Sequence, residues 1–341
     1  MLPLFFELMI YVSLVGGLIA FLTTFFATKW FIRYARLIEL VVKDQNKEDK
    51  LLIPISGGIP VMAGMFMGLS FFIFYTTFFG NLFDPYLGDK ALNFLFAAIV
   101  SILMISFIGF VDDLIIKRDK ESSAGLKQWQ KPLLTLVAAV PLVVVNAGVN
   151  TLSIPFLGRV DIGLLYPLVF VPIGVMGAAN MVNMLAGFNG LESGMGLVYT
   201  GMLALYAFVN GRNTAALIAF MTFCVLLAFF YFNRYPAKIF PGDSLTYLLG
   251  AVIASVAIIG NIEKAALIVS VPFIIEFFLK LRGGFKKQSY GYYYKGKVRS
   301  HYNKIYSLPH IFTVTGRFTE KQVTLFMILI EFIFCSLIWV I

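Results

Sequence analysis

The residues of this sequence best able to do chemistry are carboxylates and amides set at the edges of long apolar runs. Asp112 and Asp113 stand side by side in "GFVDDLIIK", directly after "LFAAIVSILMISFIGFV". Ionised carboxylates at the end of a membrane-length apolar segment are costly, and two neighbours also repel each other. Asp243 opens another apolar run in "FPGDSLTY" (240–247), and "NMVNMLAGFNGLE" (180–192) gathers Asn180, Asn183, Asn189 and Glu192 around Gly187. Asn180 and Asn183 are three residues apart and share a helix face. A connection rich in Asn and Gly presents amides and backbone N–H groups to a ligand. Each feature has a plain structural explanation by itself: Asp243 suits the first turn of a helix, where the dipole favours an acid, and Asn commonly hydrogen-bonds between membrane helices.

Taken together they suggest more. Hard divalent cations such as Mg²⁺ take oxygen ligands, usually one or two carboxylates, with substrate phosphates completing the shell. Asp112, Asp113, Asp243 and the Asn183 amide form such a set, and Lys117, Arg118, Lys127, Lys131 and Arg299 suit phosphate oxygens. The pattern points to metal-assisted phosphoryl transfer.

The elements that must position these groups are membrane helices. The 341 residues are 60% hydrophobic and 13% charged, with a mean hydropathy of +0.87, which excludes an ordinary soluble enzyme. Apolar runs of roughly 20 residues, enough to cross a bilayer, fall near 8–28, 56–79, 91–111, 132–147, 163–182, 191–209, 214–232, 244–261, 264–280 and 321–341. The first lacks a basic leader and is expected to be retained as a helix. Of the 27 Lys and Arg, 23 fall in 29–54, 111–131, 233–243 and 280–321, and only Lys90, Arg159, Arg212 and Lys264 fall in the alternate connections. Short cytoplasmic loops are the basic ones. The expectation is an all-α polytopic membrane protein of about ten helices, a single catalytic domain with both termini extracytoplasmic. The aspartate pair, the 180–192 segment, Asp243 and the long loop 280–321 then all lie on the cytoplasmic face, in or beside loops 29–54, 111–131, 183–190, 233–243 and 281–320. Cys224 and Cys335 both lie in apolar runs and imply no disulfide framework.

With "PISGGIPVMAG" (54–64) added, these motifs resemble the polyprenyl-phosphate N-acetylhexosamine-1-phosphate transferases, in order and over nearly the whole chain. "LAGFNGLE" is similar to the eukaryotic and archaeal branch, which makes dolichyl-diphosphate-GlcNAc. The histidine triplet of the bacterial phospho-MurNAc-pentapeptide branch is missing, and only His310 in "SLPHIF" occupies a comparable place. The Arg-His-Arg cluster of the eukaryotic last loop has its nearest counterpart in Arg299 and His301 of "KVRSHYNK".

The resemblance implies transfer of GlcNAc-1-phosphate from UDP-GlcNAc to polyprenyl (dolichyl) phosphate, releasing UMP, in the plasma membrane of an archaeal type of prokaryote. Asp243 and Asn183 would hold Mg²⁺, with Mn²⁺ as a substitute, and Lys131 would meet the lipid phosphate. Arg299 and His301 would grip the diphosphate. Phe240, Gly187 and Asn189 would line the uridine side, with Asn180 and Glu192 beside them. Asp44, Asn46 and Lys47 resemble a first cytoplasmic loop near the nucleotide. The same chemistry on UDP-linked GalNAc or MurNAc-pentapeptide is the alternative, and a homodimer is usual in related members.

Two routes compete: attack by Asp112 or Asp113 to form a covalent intermediate, or direct attack by the lipid phosphate. A phosphomonoester has a second pKa of about 6 and is mostly dianionic at neutral pH, so direct attack needs little help from a base. Asp112 would then orient or deprotonate the acceptor, with Asp113 supporting the metal and cations. An ion-coupled transporter would need acids along a transmembrane path, where Glu276 and Glu331 are the main ones. The Tyr- and Lys-rich loop 283–304 reads as a membrane-surface segment, and no nucleic-acid partner is expected.

Overall fold

The computed structural model describes residues 2–79, 89–115, 125–149, 151–154 and 158–340; Lys117 and Arg118 lie outside them. Helix α1 (Leu2–Leu37) leads through the antiparallel ribbon β1 (Val41–Lys43) and β2 (Leu52–Pro54) to α2 (Gly58–Phe79) and α3 (Asp89–Ile115). Two short helices follow, α4 (Gln130–Val137) and α5 (Val140–Val144), then the ribbon β3 (Thr151–Ile154) and β4 (Gly158–Asp161). A π-turn at Tyr166–Phe170 runs into α6 (Val171–Met184), succeeded by α7 (Leu191–Val209), α8 (Asn213–Asn233) and α9 (Gly242–Gly260). Then come α10 (Glu263–Val269), α11 (Val271–Arg282), the ribbon β5 (Tyr292–Tyr294) and β6 (Lys297–Arg299), α12 (His310–Thr313) and α13 (Glu320–Ser336).

Among the described residues, seven helices are long and apolar enough to cross a membrane: Met9–Leu37, Gly58–Phe79, Lys90–Ile115, Tyr166–Met184, Asn213–Asn233, Gly242–Gly260 and Glu320–Val340. The protein is an integral membrane protein. Three of the ten expected spans fall outside this set. The run 132–147 is divided between α4 and α5, and Gln130–Val144, at about 1.5 Å per residue, reaches roughly 22 Å against a hydrocarbon core of about 30 Å. The run 264–280 breaks at Ser270, where α10 ends and Pro272 starts α11; proline has no N–H to continue the ladder and fits a helix's first turn. The run 191–209 is one helix, α7, whose Glu192, Ser193 and glycines dilute its hydropathy. Two loop boundaries also shift: α1 carries Lys29, Arg33 and Arg36 on its last turns, and Asp112 and Asp113 belong to the last turn of α3.

Helix α9 is the central post. Every residue from Ser244 to Gly260 is buried, and α2, α3, α6 and α8 pack around it. Small residues let membrane helices approach closely, and two glycines do so at its first turn. A Cβ at Gly109 would lie 2.3 Å from the Asp243 carbonyl oxygen, and one at Gly58 would lie 2.3 Å from the Ser244 carbonyl carbon. Helices α3 and α2 are thereby drawn against the turn that carries Asp243.

Hydrogen bonds gather the connecting loops at this same end. The Asn46 amide donates to the Gly187 carbonyl at 2.7 Å, the Gly291 N–H to Asn46 Oδ1 at 3.1 Å, and the Ala237 N–H to Asn189 Oδ1 at 2.8 Å. Gln128 Nε2 donates to the Phe285 carbonyl at 3.1 Å. The connections after α1, α3, α6, α8 and α11 therefore meet one another.

Candidate active site

Two neighbours on a helix point about 100° apart, so adjacent carboxylates rarely share a task. Asp113 is wholly buried and turns toward α9. It accepts the Asp243 N–H at 2.7 Å, the Ser244 N–H at 3.2 Å and the Ser56 hydroxyl at 2.8 Å. Those N–H groups have no partner within their own helix, and the dipole favours an anion there. Asp113 thus caps α9 from another helix, and its carboxylate holds the backbone of the turn that carries Asp243.

Asp112 instead faces Lys131 and the side chain of Asp243. It accepts from the Leu126 N–H and from Lys131 Nζ. Lys131, on the first turn of α4, also donates to Asp243 Oδ2 at 2.8 Å, so one ammonium bridges the carboxylates of α3 and α9. Asn183 Nδ2 donates to the same Asp243 oxygen at 3.1 Å, while Thr246 Oγ1 donates to Asn183 Oδ1 at 2.8 Å. Asp112 is nearly buried, with its side chain 3% exposed, but Lys131 and Asp243 are each 22% exposed. The acid most open to a ligand is therefore Asp243, and the cation beside it is Lys131. Asn180 does not join them: its amide donates to Thr135 Oγ1 at 2.9 Å and the Met176 carbonyl at 2.8 Å, tying α6 to the helix that carries Lys131.

These residues fit a divalent cation. The carboxyl groups of Asp112 and Asp243 face one ammonium, that of Lys131, so acids outnumber cations where the site opens. Turning the Asn183 amide over would present its oxygen beside Asp243, and Thr246's hydroxyl can accept as readily as donate. Among the described residues no three Asp, Glu, His or Cys side chains form a closed metal cage. An open site with few protein ligands is what Mg²⁺ uses when substrate phosphates complete its shell.

The residues expected near the nucleotide divide into two groups. Asp44, Asn46 and Asn189 are buried, and buried polar groups need partners; here the protein supplies them. Asn189 Nδ2 donates to Asp44 Oδ2 at 3.1 Å and to Glu320, and its N–H reaches Glu320 Oε1 at 2.9 Å. Lys47 pairs with Glu320 and lies 4.0 Å from the Tyr235 ring centroid. Glu192 accepts the Gly187 N–H at 2.8 Å, and Phe240 joins the loops by its backbone, donating to the Pro54 carbonyl at 2.7 Å and accepting from the Gly57 N–H at 3.0 Å. Asp44, Asn46 and Asn189 form a knot between loops beside Gly187. Glu320 completes it, and its only sequence signal was an acid at the start of an apolar run.

Arg299 and His301 are exposed, as Lys127 is. Arg299 lies opposite Tyr292 in the β5–β6 ribbon, and the His301 ring lies tilted against that of Tyr292, with centroids 5.2 Å apart. The ribbon approaches the Asn-rich loop where Tyr290 passes Gly187, whose added Cβ would lie 3.4 Å from that of Tyr290. His310 is wholly buried and accepts the Tyr306 N–H at Nδ1, 3.1 Å away. Burial, aided by the nearby Lys280 charge, pushes its pKa down to about 4 and keeps it neutral.

A transporter would need Glu276 free along a transmembrane path. This residue is wholly buried and anchors the last loop instead, accepting the Ser307 hydroxyl and the Leu308 N–H, each at 2.7 Å. Lys280, one turn along, lies 3.6 Å from it and donates to the Lys287 carbonyl at 2.8 Å. The i, i+4 spacing was the signal for this pair. Glu331 accepts from the Cys335 thiol at 3.3 Å. Replacing Glu276 with Ala strands a buried lysine and two donors, and a loss of about 3–5 kcal/mol is expected. Thermal unfolding in detergent checks this; an unchanged midpoint would refute the anchoring role.

The sequence is similar to those of known proteins over most of its length. Glycosyl transferase family 4 matches residues 95–261, which contain Asp112, Asp113, Lys131, Asn183 and Asp243. A protein of Saccharolobus solfataricus, provisionally named UDP-N-acetylglucosamine–dolichyl-phosphate N-acetylglucosaminephosphotransferase, is 37% identical over 319 residues, 93% of this chain and 92% of its own. One of Sulfolobus acidocaldarius with the same name is 34% identical over 96% of each chain. A phospho-N-acetylmuramoyl-pentapeptide-transferase of Streptococcus thermophilus is 31% identical over 77% of each. With such similarity running through its whole bundle, the chain belongs to glycosyl transferase family 4.

Proposed function

We propose that this protein transfers GlcNAc-1-phosphate from UDP-GlcNAc to a polyprenyl phosphate of the dolichyl type. The observation that carries this reading is the Lys131 ammonium shared by Asp112 and Asp243, with Asn183 on the same Asp243 oxygen. Mg²⁺, or Mn²⁺ in its place, would be held by Asp243 and Asn183 and would neutralise the diphosphate oxygens. Lys131 receives the lipid phosphate, and Asp112 fixes the direction of Lys131. An oxygen of the lipid phosphate bonds to the phosphorus bearing the sugar, the bond from that phosphorus to the UMP oxygen breaks, and UMP leaves with the electron pair. No proton need move, because the acceptor is already largely a dianion. Catalysis then rests on positioning and charge neutralisation. The names of the two archaeal relatives support GlcNAc as the sugar.

The five loops that meet at one end support ten passages of the chain, with α4–α5 and α10–α11 as broken ones. The whole chain then acts as one catalytic unit, its basic end facing the cytoplasm and both termini outside. Arg299 and His301 reach the diphosphate when the ribbon closes over Gly187. A homodimer is part of the same reading, and its mass in native mass spectrometry tests it.

Product analysis with UDP-GlcNAc, UDP-GalNAc and UDP-MurNAc-pentapeptide tests the sugar. UDP-GlcNAc should give the lipid-linked product fastest, and a preference for either rival would overturn the assignment. Direct attack predicts that labelled UMP does not exchange into UDP-GlcNAc without lipid phosphate. Exchange under those conditions would establish a covalent intermediate.

A further inference from the structure

A cavity of about 380 Å³ opens between α1, α8 and the loop before α9, lined by Phe25, Lys29, Ile32, Arg33, Arg36, Tyr231, Phe232 and Lys238. The α1 members recur at offsets of four, seven, eight and eleven residues, which is one face of a helix. They are also graded along it: Phe25 comes first, and the three cations follow toward the helix end. The floor is aromatic, with the Phe25 ring 5.1 Å from Phe232 and 5.8 Å from Tyr231. Lys29, Arg33, Arg36 and Lys238 are all exposed, and no acid lines the cavity.

Its depth follows from the helix. The 36 residues of α1 extend about 54 Å at roughly 1.5 Å each, well beyond a hydrocarbon core of about 30 Å. Its last turns therefore stand in the headgroup layer. Trp30 and Tyr34, exposed and stacked at 5.2 Å beside the cations, mark that layer, because such aromatics collect at the membrane interface.

We propose that this groove binds the phosphate headgroup of an anionic membrane lipid, whose chain descends past Phe25. Four cations without a carboxylate complement a phosphate, and an aromatic floor continuous with the membrane suits an acyl or isoprenoid chain. Among the described residues, no hydrogen bond or ion pair joins Lys29, Arg33, Arg36 or Lys238 to the partners of Asp112, Lys131 and Asp243, so the site stands apart from the proposed transfer chemistry.

Native mass spectrometry of the purified full chain, offered equal amounts of dioleoyl phosphatidic acid and dioleoyl phosphatidylcholine, tests this. The wild type should retain one more phosphatidic acid than the K29Q/R33Q/R36Q variant and prefer it over phosphatidylcholine at least fivefold. R33Q alone should lower that preference at least twofold, which keeps the test usable should the triple variant unfold. Equal retention by wild type and variants, or no preference over phosphatidylcholine, overturns the proposal. Displacement of phosphatidic acid by an equal concentration of inorganic phosphate overturns it as well, since that would identify a site for a soluble anion.

Discussion

Replacing Asp243 with Ala is expected to lower UMP release from UDP-GlcNAc at least about 10³-fold while leaving the bundle folded. Removing one preorganised electrostatic group from an active site typically lowers kcat by about 10²–10³, and this carboxylate serves several partners at once. It holds Lys131 at 2.8 Å and Asn183 at 3.1 Å, and it is the most exposed acid of the site. The fold should tolerate the change because the α9 cap uses the Asp243 backbone N–H, not its side chain. UMP release and thermal unfolding, measured on the same preparation, check both halves. Activity within tenfold of wild type would reject Asp243 as a metal or substrate ligand.

The second large effect divides the aspartate pair. Asp112→Asn should reduce turnover about 10²-fold or more with little change in the unfolding temperature, since it weakens the hold on Lys131 at the partly open site. Asp113→Ala should act mainly on the fold. It strands the Ser56 hydroxyl and the Asp243 and Ser244 N–H groups in a fully buried place, at about 1–3 kcal/mol for each group left without a partner. Thermal unfolding and turnover of the two variants side by side check the division. A stable, inactive Asp113→Ala together with a fully active Asp112→Asn would reverse the assignment.

Adjacent residues with such different duties show what could be read from the chain alone. The polar motifs were legible because a carboxylate or amide beside a long apolar run requires explanation, and the distribution of cations ordered them along the chain. The direction of each side chain was not, since "DD" does not say which acid faces Ser56 and which faces Lys131. Hydropathy was a sound guide to α2, α3, α8 and α9 but smoothed over the interruption at Ser270, which a single proline produces. Asn189 and Asn183 look alike in "NMVNMLAGFNG", yet one ties loops together through Asp44 and Glu320 while the other lies against Asp243. Glu320 and Asn46 are 274 residues apart, and such a contact leaves no local pattern in a single chain.

UMP release by the purified protein with UDP-GlcNAc and Mg²⁺, measured with and without dolichyl phosphate, tests the proposed reaction most directly. The account predicts UMP and dolichyl-diphosphate-GlcNAc in equal amounts, and only when the lipid phosphate is present. UMP formed at the same rate without the lipid, or no UMP in its presence, would contradict it.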